Sequence, residues 1–277
     1  MAGEAGDHEA YNIAAMKEIT VAVVQSMAVP GDLARAVSEH ARLAILAAQK
    51  GARLAVFPEL SLTGYSLALT RADALTPNDP RLQMLQQVAD ANDIVIVAGA
   101  PIEITSGLHI GALCFVPHRP AVTYSKRFLH EGEQKTFAPG IGGEPLSIHD
   151  HVVGLAICAE ITHPEHASEA AQRGANIYAA SCFITPNGYA YDTDLLAGYA
   201  REHRMMVMMA NFGNGNGTWV SAGLSAIWSH TGALLIQGPP EGEAILLAKT
   251  HSASLGEEDP EYSSPVCYLH EFADRPK

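Results

Sequence analysis

Three polar side chains stand where short apolar runs stop. Glu59 follows Leu54-Ala55-Val56-Phe57-Pro58, Lys126 follows Val122-Thr123-Tyr124-Ser125, and Cys158 follows Val153-Gly154-Leu155-Ala156-Ile157. Each is a residue type that can carry chemistry: a thiolate is a nucleophile, and a carboxylate or an amine in a dry site can hold an unusual protonation state. Ligands of α/β sheets bind beyond the carboxyl ends of strands, where these side chains can converge. Each residue also has a plain structural reading. Glu59 can open a surface turn, Lys126 can be a solvated strand end, and Cys158 can be a small buried apolar residue.

The elements that must position these residues alternate short apolar runs with amphipathic stretches. Residues 18–24 read as a strand. Asp32 offers an N-cap to a helix with Leu33, Val37, Ala41, Ala44 and Ala48 on one face, stopped by Gly51. Buried strands at 54–57 and 94–98 flank a helix face made by Leu82, Leu85, Val88 and Ala89. Strands at 109–116 and 121–124 form a meander, and a Gly- and Glu-rich loop follows.

The second half repeats this order. A strand at 152–157 leads straight to Cys158, and the next helix has Pro164 in its first turn and Gly174 at its end. A strand at 177–180, a helix at 194–204, and strands at 205–210, 224–228, 233–237 and 244–249 complete the pattern. Helices alternating with strands on this scale predict an α/β fold. Two such halves predict an α-β-β-α sandwich, with two sheets face to face and helices on the outer faces. No Pro-, Ser- or charge-rich linker divides it, so residues 18–277 are expected to form a single domain. The polar, acidic residues 1–17 read as a loose extension.

Composition narrows the function. The 277 residues are 48% hydrophobic and 17% charged, with a formal net charge of -13. That leaves no basic footprint for nucleic acid. No run of eighteen apolar residues is present, so no membrane span is expected. Cys114, Cys158, Cys182 and Cys267 lie far apart, without a C-x-x-C pair, which fits a reduced, cytoplasmic protein. His163 with His166, and His149 with His151, lack an evident third ligand, so no metal is expected. The Gly213-Asn214-Gly215-Asn216-Gly217 segment lacks the following helix of a phosphate cradle and reads as a loop at an active-site rim. A Cys–His protease has no supporting signature around any of the cysteines.

The ordered motifs carry a resemblance. Gly51 through Leu60, continuing to Thr63-Gly64-Tyr65, resembles the first signature of the nitrilase superfamily of carbon–nitrogen hydrolases. Tyr124-Ser125-Lys126 through Glu133, with Phe137 to Gly140, resembles the second; Gly154 through Glu160, continuing to His163-Pro164-Glu165, resembles the third. Glu202 with Asn211, and Gly223-Leu224-Ser225, resemble downstream patterns. Three departures stand out. Phe128 occupies a position where many relatives have histidine, His163 one where many have phenylalanine, and Ala159 one where true nitrilases often carry an aromatic residue.

The resemblance implies a hydrolase, without cofactor, that cleaves a small amide or N-carbamoyl compound through a cysteine thioester and releases ammonia. In it Cys158 is the nucleophile, Glu59 the general base, and Lys126 with the Ala159 N–H the oxyanion site. Glu133 is implied as a fourth catalytic residue orienting Lys126 or the substrate nitrogen, with Glu131 its rival by position. Tyr65 and Phe183 are expected to bind substrate, or else to pack in the core. A homodimer or higher homo-oligomer is expected by the same analogy. The small Ala159 and the short stretch after the last predicted strand favour amides over nitriles. A nitrilase, or a catalytically silent scaffold of this fold, is the alternative.

Overall fold

β-Branched and small apolar side chains pack well on a pleated surface, and runs of them build most of the strands. The computed structural model describes residues 17–104, 107–250 and 266–268. In chain order the first half contains β1 (Thr20–Gln25), α1 (Leu33–Gln49), β2 (Ala52–Val56), α2 (Gln83–Asn92), β3 (Val95–Ile104), β4 (Gly107–Phe115) and β5 (Val122–Ser125). The second contains β6 (Leu146–Ile148), β7 (His151–Ile157), α3 (Pro164–Gln172), β8 (Ile177–Ser181), α4 (Pro186–His203), β9 (Met206–Ala210), β10 (Ala226–Trp228) and β11 (Leu234–Gln237). β12 (Ala244–Lys249) and β13 (Val266–Tyr268) follow.

Two sheets result, ordered β13-β12-β1-β2-β3-β4-β5 and β11-β10-β9-β8-β7-β6. In each, three consecutive parallel strands (β1-β2-β3 and β7-β8-β9) continue into an antiparallel meander. β12 and β6 add antiparallel neighbours on the outer sides of β1 and β7. The repeat seen in the sequence is therefore a repeat of topology.

Side chains alternate across each sheet with a period of two, so every central strand has two faces to bury. Val21, Val23, Leu54, Val56 and Val97 meet Val153, Leu155, Ile177, Ala179 and Met208 between the sheets. The intervening Ala22, Val24, Ala55 and Ile96 face Val37, Ala41, Ala44 and Leu85 of α1 and α2. On the other sheet, Ala156, Tyr178, Ala180 and Val207 face Ala167, Ala170, Leu196 and Ala200 of α3 and α4. The α-β-β-α sandwich predicted from the sequence is thus the observed architecture.

Several boundaries differ from those read in the sequence. β3 runs on to Ile104 and pairs with β4 from Ile96↔Phe115 to Ile104↔Gly107, a longer hairpin than its apolar core suggests. α4 begins at Pro186 rather than 194. Its first turns hold Asn187, Gly188, Tyr191 and Asp192, which give no apolar stripe, and only Pro186 marks the start. The short strands β6 and β13 were not predicted. Of the expected N-terminal extension, residues 1–16 lie outside the described residues. Lys17 is tied down: its N–H donates to Asp150 Oδ2 at 3.0 Å and its carbonyl accepts from His151 Nε2 at 2.9 Å.

Gly99 on β3 shows how tightly the sheet holds the Glu59 turn. A Cβ there would fall on the backbone N of Leu60 and O of Pro58, which cannot yield as a flexible side chain can. Gly99→Ala should cost about 1–3 kcal/mol, as overpacking does. Chemical denaturation will measure this, and an unchanged midpoint would show that the turn is free to move.

Candidate active site

Glu59 leaves β2 on a bent turn. Phe57 N–H still bonds the Val97 carbonyl at 2.9 Å, after which the chain folds back through Leu60 at φ 51°. Thr63 and Gly64 N–H groups both return to the Leu60 carbonyl, at 3.1 and 2.8 Å. Ser61 Oγ accepts from Gly99 N–H at 3.0 Å and donates to His40 Nε2 at 2.8 Å; His40 Nδ1–H in turn donates to the Ala36 carbonyl at 2.7 Å. Burial holds the His40 pKa down at about 4, so the ring is neutral and can take that acceptor role. Helix α1 thus braces the turn that presents Glu59.

Lys126 follows β5, with its N–H on the Ile110 carbonyl at 2.8 Å. Its ammonium is fully buried. Nζ donates to Glu59 Oε1 at 2.6 Å and to both oxygens of Glu133 at 2.9 Å. Glu133 opens a 3₁₀ turn over Glu133–Lys135 and also accepts from Tyr65 OH at 2.8 Å and His130 N–H at 2.7 Å. Glu131, its rival by position, is exposed. Glu59 Oε2 is buried and has no hydrogen-bond partner among the described residues.

Two carboxylates and one ammonium in a dry site carry excess negative charge if all are ionised. Burial, and then the nearby Cys158, push Glu59 well above the usual carboxylate range, while Lys126 opposes them. For Lys126 burial acts against the charge, but Glu59, Cys158 and Glu133 outweigh it and the amine stays protonated. Burial, with Glu59 and Glu133 behind it, keeps Tyr65 a neutral phenol and so a donor.

Cys158 directly follows β7 in the left-handed region, at φ 45°, which is uncommon for a residue other than glycine. A 3₁₀ turn over Cys158–Thr162 follows, and α3 starts at Pro164. The bend is held by a residue whose role the sequence did not reveal. Glu160 Oε2 accepts from Ile157 N–H at 2.7 Å, just before Cys158, and Oε1 accepts from Arg127 N–H at 2.7 Å, just after Lys126. One buried carboxylate therefore ties the two segments together.

Behind Glu160 runs a satisfied chain of donors. Tyr124 OH donates to Glu160 Oε2 at 2.8 Å, His166 Nε2 lies 2.7 Å from Tyr124 OH, and His166 Nδ1 lies 2.8 Å from Tyr178 OH. Burial holds His166 at about 4, so it is neutral, with its proton placed by this network on Nε2. Burial raises Glu160 to about 7, with the bonds from Arg127, Ile157 and Tyr124 working against it. Both ring nitrogens of His166 are thereby engaged within the protein.

The family model for carbon-nitrogen hydrolase matches residues 20–257. The chain belongs to that family. Its Pseudomonas relative, an (R)-stereoselective amidase, is 28% identical over 187 residues, 66% of this chain and 68% of that one. An amidase from Nesterenkonia sp. superposes with a TM-score of 0.75 at 25% identity, covering 84% of this chain and 90% of that one. Saccharomyces cerevisiae Nit3, a member of branch 10 of the nitrilase superfamily, superposes with a TM-score of 0.78 at 22% identity, covering 86% and 91%. Together these make the chain a carbon–nitrogen hydrolase of the nitrilase superfamily, with amidases among its neighbours.

Within this hydrolase two of the three departures from the common family pattern form a pair. Phe128 and His163 stack on each other, with ring centroids 3.9 Å apart and planes 13° from parallel. The residue types expected at these two positions are thus exchanged, and the two rings of this chain pack together. Ala159 is buried at the second position of the 3₁₀ turn that Cys158 opens. Tyr65 stacks on Phe183 at 5.1 Å, and the exposed Trp219 meets its edge at 5.5 Å. Trp219, absent from the sequence-derived site, is brought there by the Gly-rich segment. Asn216 Nδ2 donates to the Tyr65 carbonyl at 2.6 Å, and its Oδ1 accepts from Thr218 and Trp219 N–H at 3.0 and 2.7 Å.

The thiols differ in environment. Cys158 is partly exposed, while Cys114 is buried and pushed up to about 12 by that burial. Contact with Cys182, then burial, also raises Cys158, while Lys126 lowers it, so its reactivity should depend on the carboxylate beside it. Brief iodoacetamide treatment followed by peptide mapping should label Cys158 before Cys114 or Cys182, and Glu59→Gln should slow that labelling. Labelling of Cys114 first would contradict this picture.

Proposed function

We propose that the hydrolase cleaves a small amide or N-carbamoyl compound, with Cys158 as nucleophile and Glu59 as general base. The observation that carries this reading is the buried Glu59–Lys126–Glu133 cluster, which leaves one oxygen of Glu59 without a partner among the described residues. Glu59 takes the thiol proton as sulfur bonds to the carbonyl carbon. The oxyanion is met by Lys126 and the Ala159 N–H. An ammonium has three N–H bonds, so Lys126 can serve the oxyanion when the two Glu133 oxygens share one N–H and Glu59 takes a second. The Ala159 N–H sits in the first turn, where no intrahelical acceptor reaches it.

Collapse of the tetrahedral species breaks the C–N bond, and Glu59 gives its proton to the departing nitrogen. Water then replaces the amine. Glu59 takes a proton from it, the C–S bond breaks, and the acid and free thiol result. Glu133 positions Lys126 throughout, held by Tyr65 OH. Tyr65, Phe183 and Trp219 present aromatic rings to the substrate, which suits an apolar acyl group.

The assay is ammonia release from matched amide and nitrile pairs at varied pH. The amides should have the higher kcat/KM. Because the base must be unprotonated and its pKa is raised, activity should rise with pH on a limb above the ordinary carboxylate value of about 4.3. Glu59→Gln should lower kcat by about 10²–10⁴ and abolish that limb. A higher kcat/KM for the nitriles would overturn the amidase reading, and an active Glu59→Gln would overturn the mechanism.

A further inference from the structure

Cys158 has a neighbour that the hydrolytic mechanism does not use. β7 and β8 run parallel, and their last register pair is Ile157↔Ser181. The residue after each strand is a cysteine, Cys158 opening the 3₁₀ turn after β7 and Cys182 following β8. Neighbouring strands lie about 4.8 Å apart, within the roughly 4.4–6.8 Å between Cα atoms that a disulfide spans. One contact holds Cys158 against this strand end: its Sγ lies 3.7 Å from the carbonyl of Phe183, the residue after Cys182. Cys182 is anchored by its N–H on the Ala210 carbonyl at 2.8 Å.

Their exposures differ. Cys158 is partly open, whereas Cys182 is wholly buried among Ala156, Ala180 and Tyr178 beneath α3 and α4. A small oxidant entering by the substrate route meets Cys158 first. The second thiol can then be reached only by the sulfur of the first. This is the arrangement of a peroxide-sensitive cysteine beside a resolving one.

We propose that Cys158 and Cys182 form a modification site, in which hydrogen peroxide converts the pair to an intramolecular disulfide that reversibly silences the hydrolase. This rests on the reading of Cys158 as the reactive thiol. In the first step the Cys158 thiolate attacks peroxide, the O–O bond breaks, hydroxide leaves, and the sulfur is oxidised to sulfenic acid. In the second, the Cys182 sulfur attacks the sulfenic sulfur. The S–O bond breaks, an S–S bond forms, and water leaves with the thiol proton. Overall, two thiols and one peroxide yield one disulfide and two waters. The nucleophile is then capped, and its buried partner shields it from further oxidation. A thiol reductant restores both groups.

The test treats the full chain with hydrogen peroxide and reads intact mass, cysteine-mapped peptides and amide hydrolysis together. The expected result is a loss of two hydrogens, a Cys158–Cys182 cross-linked peptide, and loss of activity that dithiothreitol fully restores. In Cys182→Ala, resting hydrolysis should stay close to that of the parent. Peroxide should instead carry Cys158 on to sulfinic acid, and dithiothreitol should no longer restore activity. If Cys182→Ala folds poorly, Cys182→Ser serves the same purpose, and far-UV circular dichroism decides between them. Peroxide-treated parent with Cys158 oxidised and Cys182 still free to alkylate after unfolding would overturn the proposal and leave the catalytic reading standing. A cross-linked protein with undiminished hydrolysis would overturn both the silencing and the role of Cys158.

Discussion

A fully buried ammonium has to be matched by negative charge and hydrogen bonds, and in this fold Lys126 imposes that condition on everything near it. Removing one ion from water costs several kcal/mol even after relaxation, and attraction repays the cost only with close geometry. Here Glu59 at 2.6 Å and Glu133 at 2.9 Å supply it. The cluster is therefore poor evidence for stability. Its yield is electrostatic: burial, then the nearby Cys158 and Glu133, raise the proton affinity of Glu59, which suits the base proposed for the thiol.

The two sheets exist, from this viewpoint, to bring three chain segments to one place and hold them still. β2 and β5 deliver Glu59 and Lys126 from one sheet; β7 delivers Cys158 from the other. Glu160 then joins the sheets beneath the site, accepting from backbone N–H groups next to Lys126 and next to Cys158. The bend at Cys158 and the bend at Leu60 both place a side chain in the left-handed region. Each is retained only because its surroundings over-determine it. For Cys158 these include Glu160; for Leu60, the Gly99 backbone and Ser61.

The sandwich, the paired halves and the strand-end positions of Glu59 and Lys126 are legible in the sequence because they follow from local patterns, whereas Glu133 enters only through the family resemblance. Apolar runs end in polar residues, and helices carry stripes. Glu160 stood within a recognised motif, but its partners Tyr124 and Arg127 lie more than thirty positions away, and only folding makes them neighbours. The same holds for Phe128 and His163, which read as two separate departures and prove to be one packed pair. Trp219 was invisible because the glycine-rich segment before it has no periodicity, and its place depends on Asn216 reaching the Tyr65 carbonyl. The start of α4 was missed for lack of an apolar face.

The central claim is that Lys126 holds two carboxylates together in a site built for chemistry. Urea unfolding of Lys126→Met, beside the triple variant Lys126→Met/Glu59→Gln/Glu133→Gln, tests it most directly. The single change leaves buried carboxylates uncompensated and should cost about 3–5 kcal/mol at neutral pH. Removing their charge as well should restore most of that stability while leaving no hydrolysis. A Lys126→Met protein as stable as the parent, or one still turning over amides, would contradict the account.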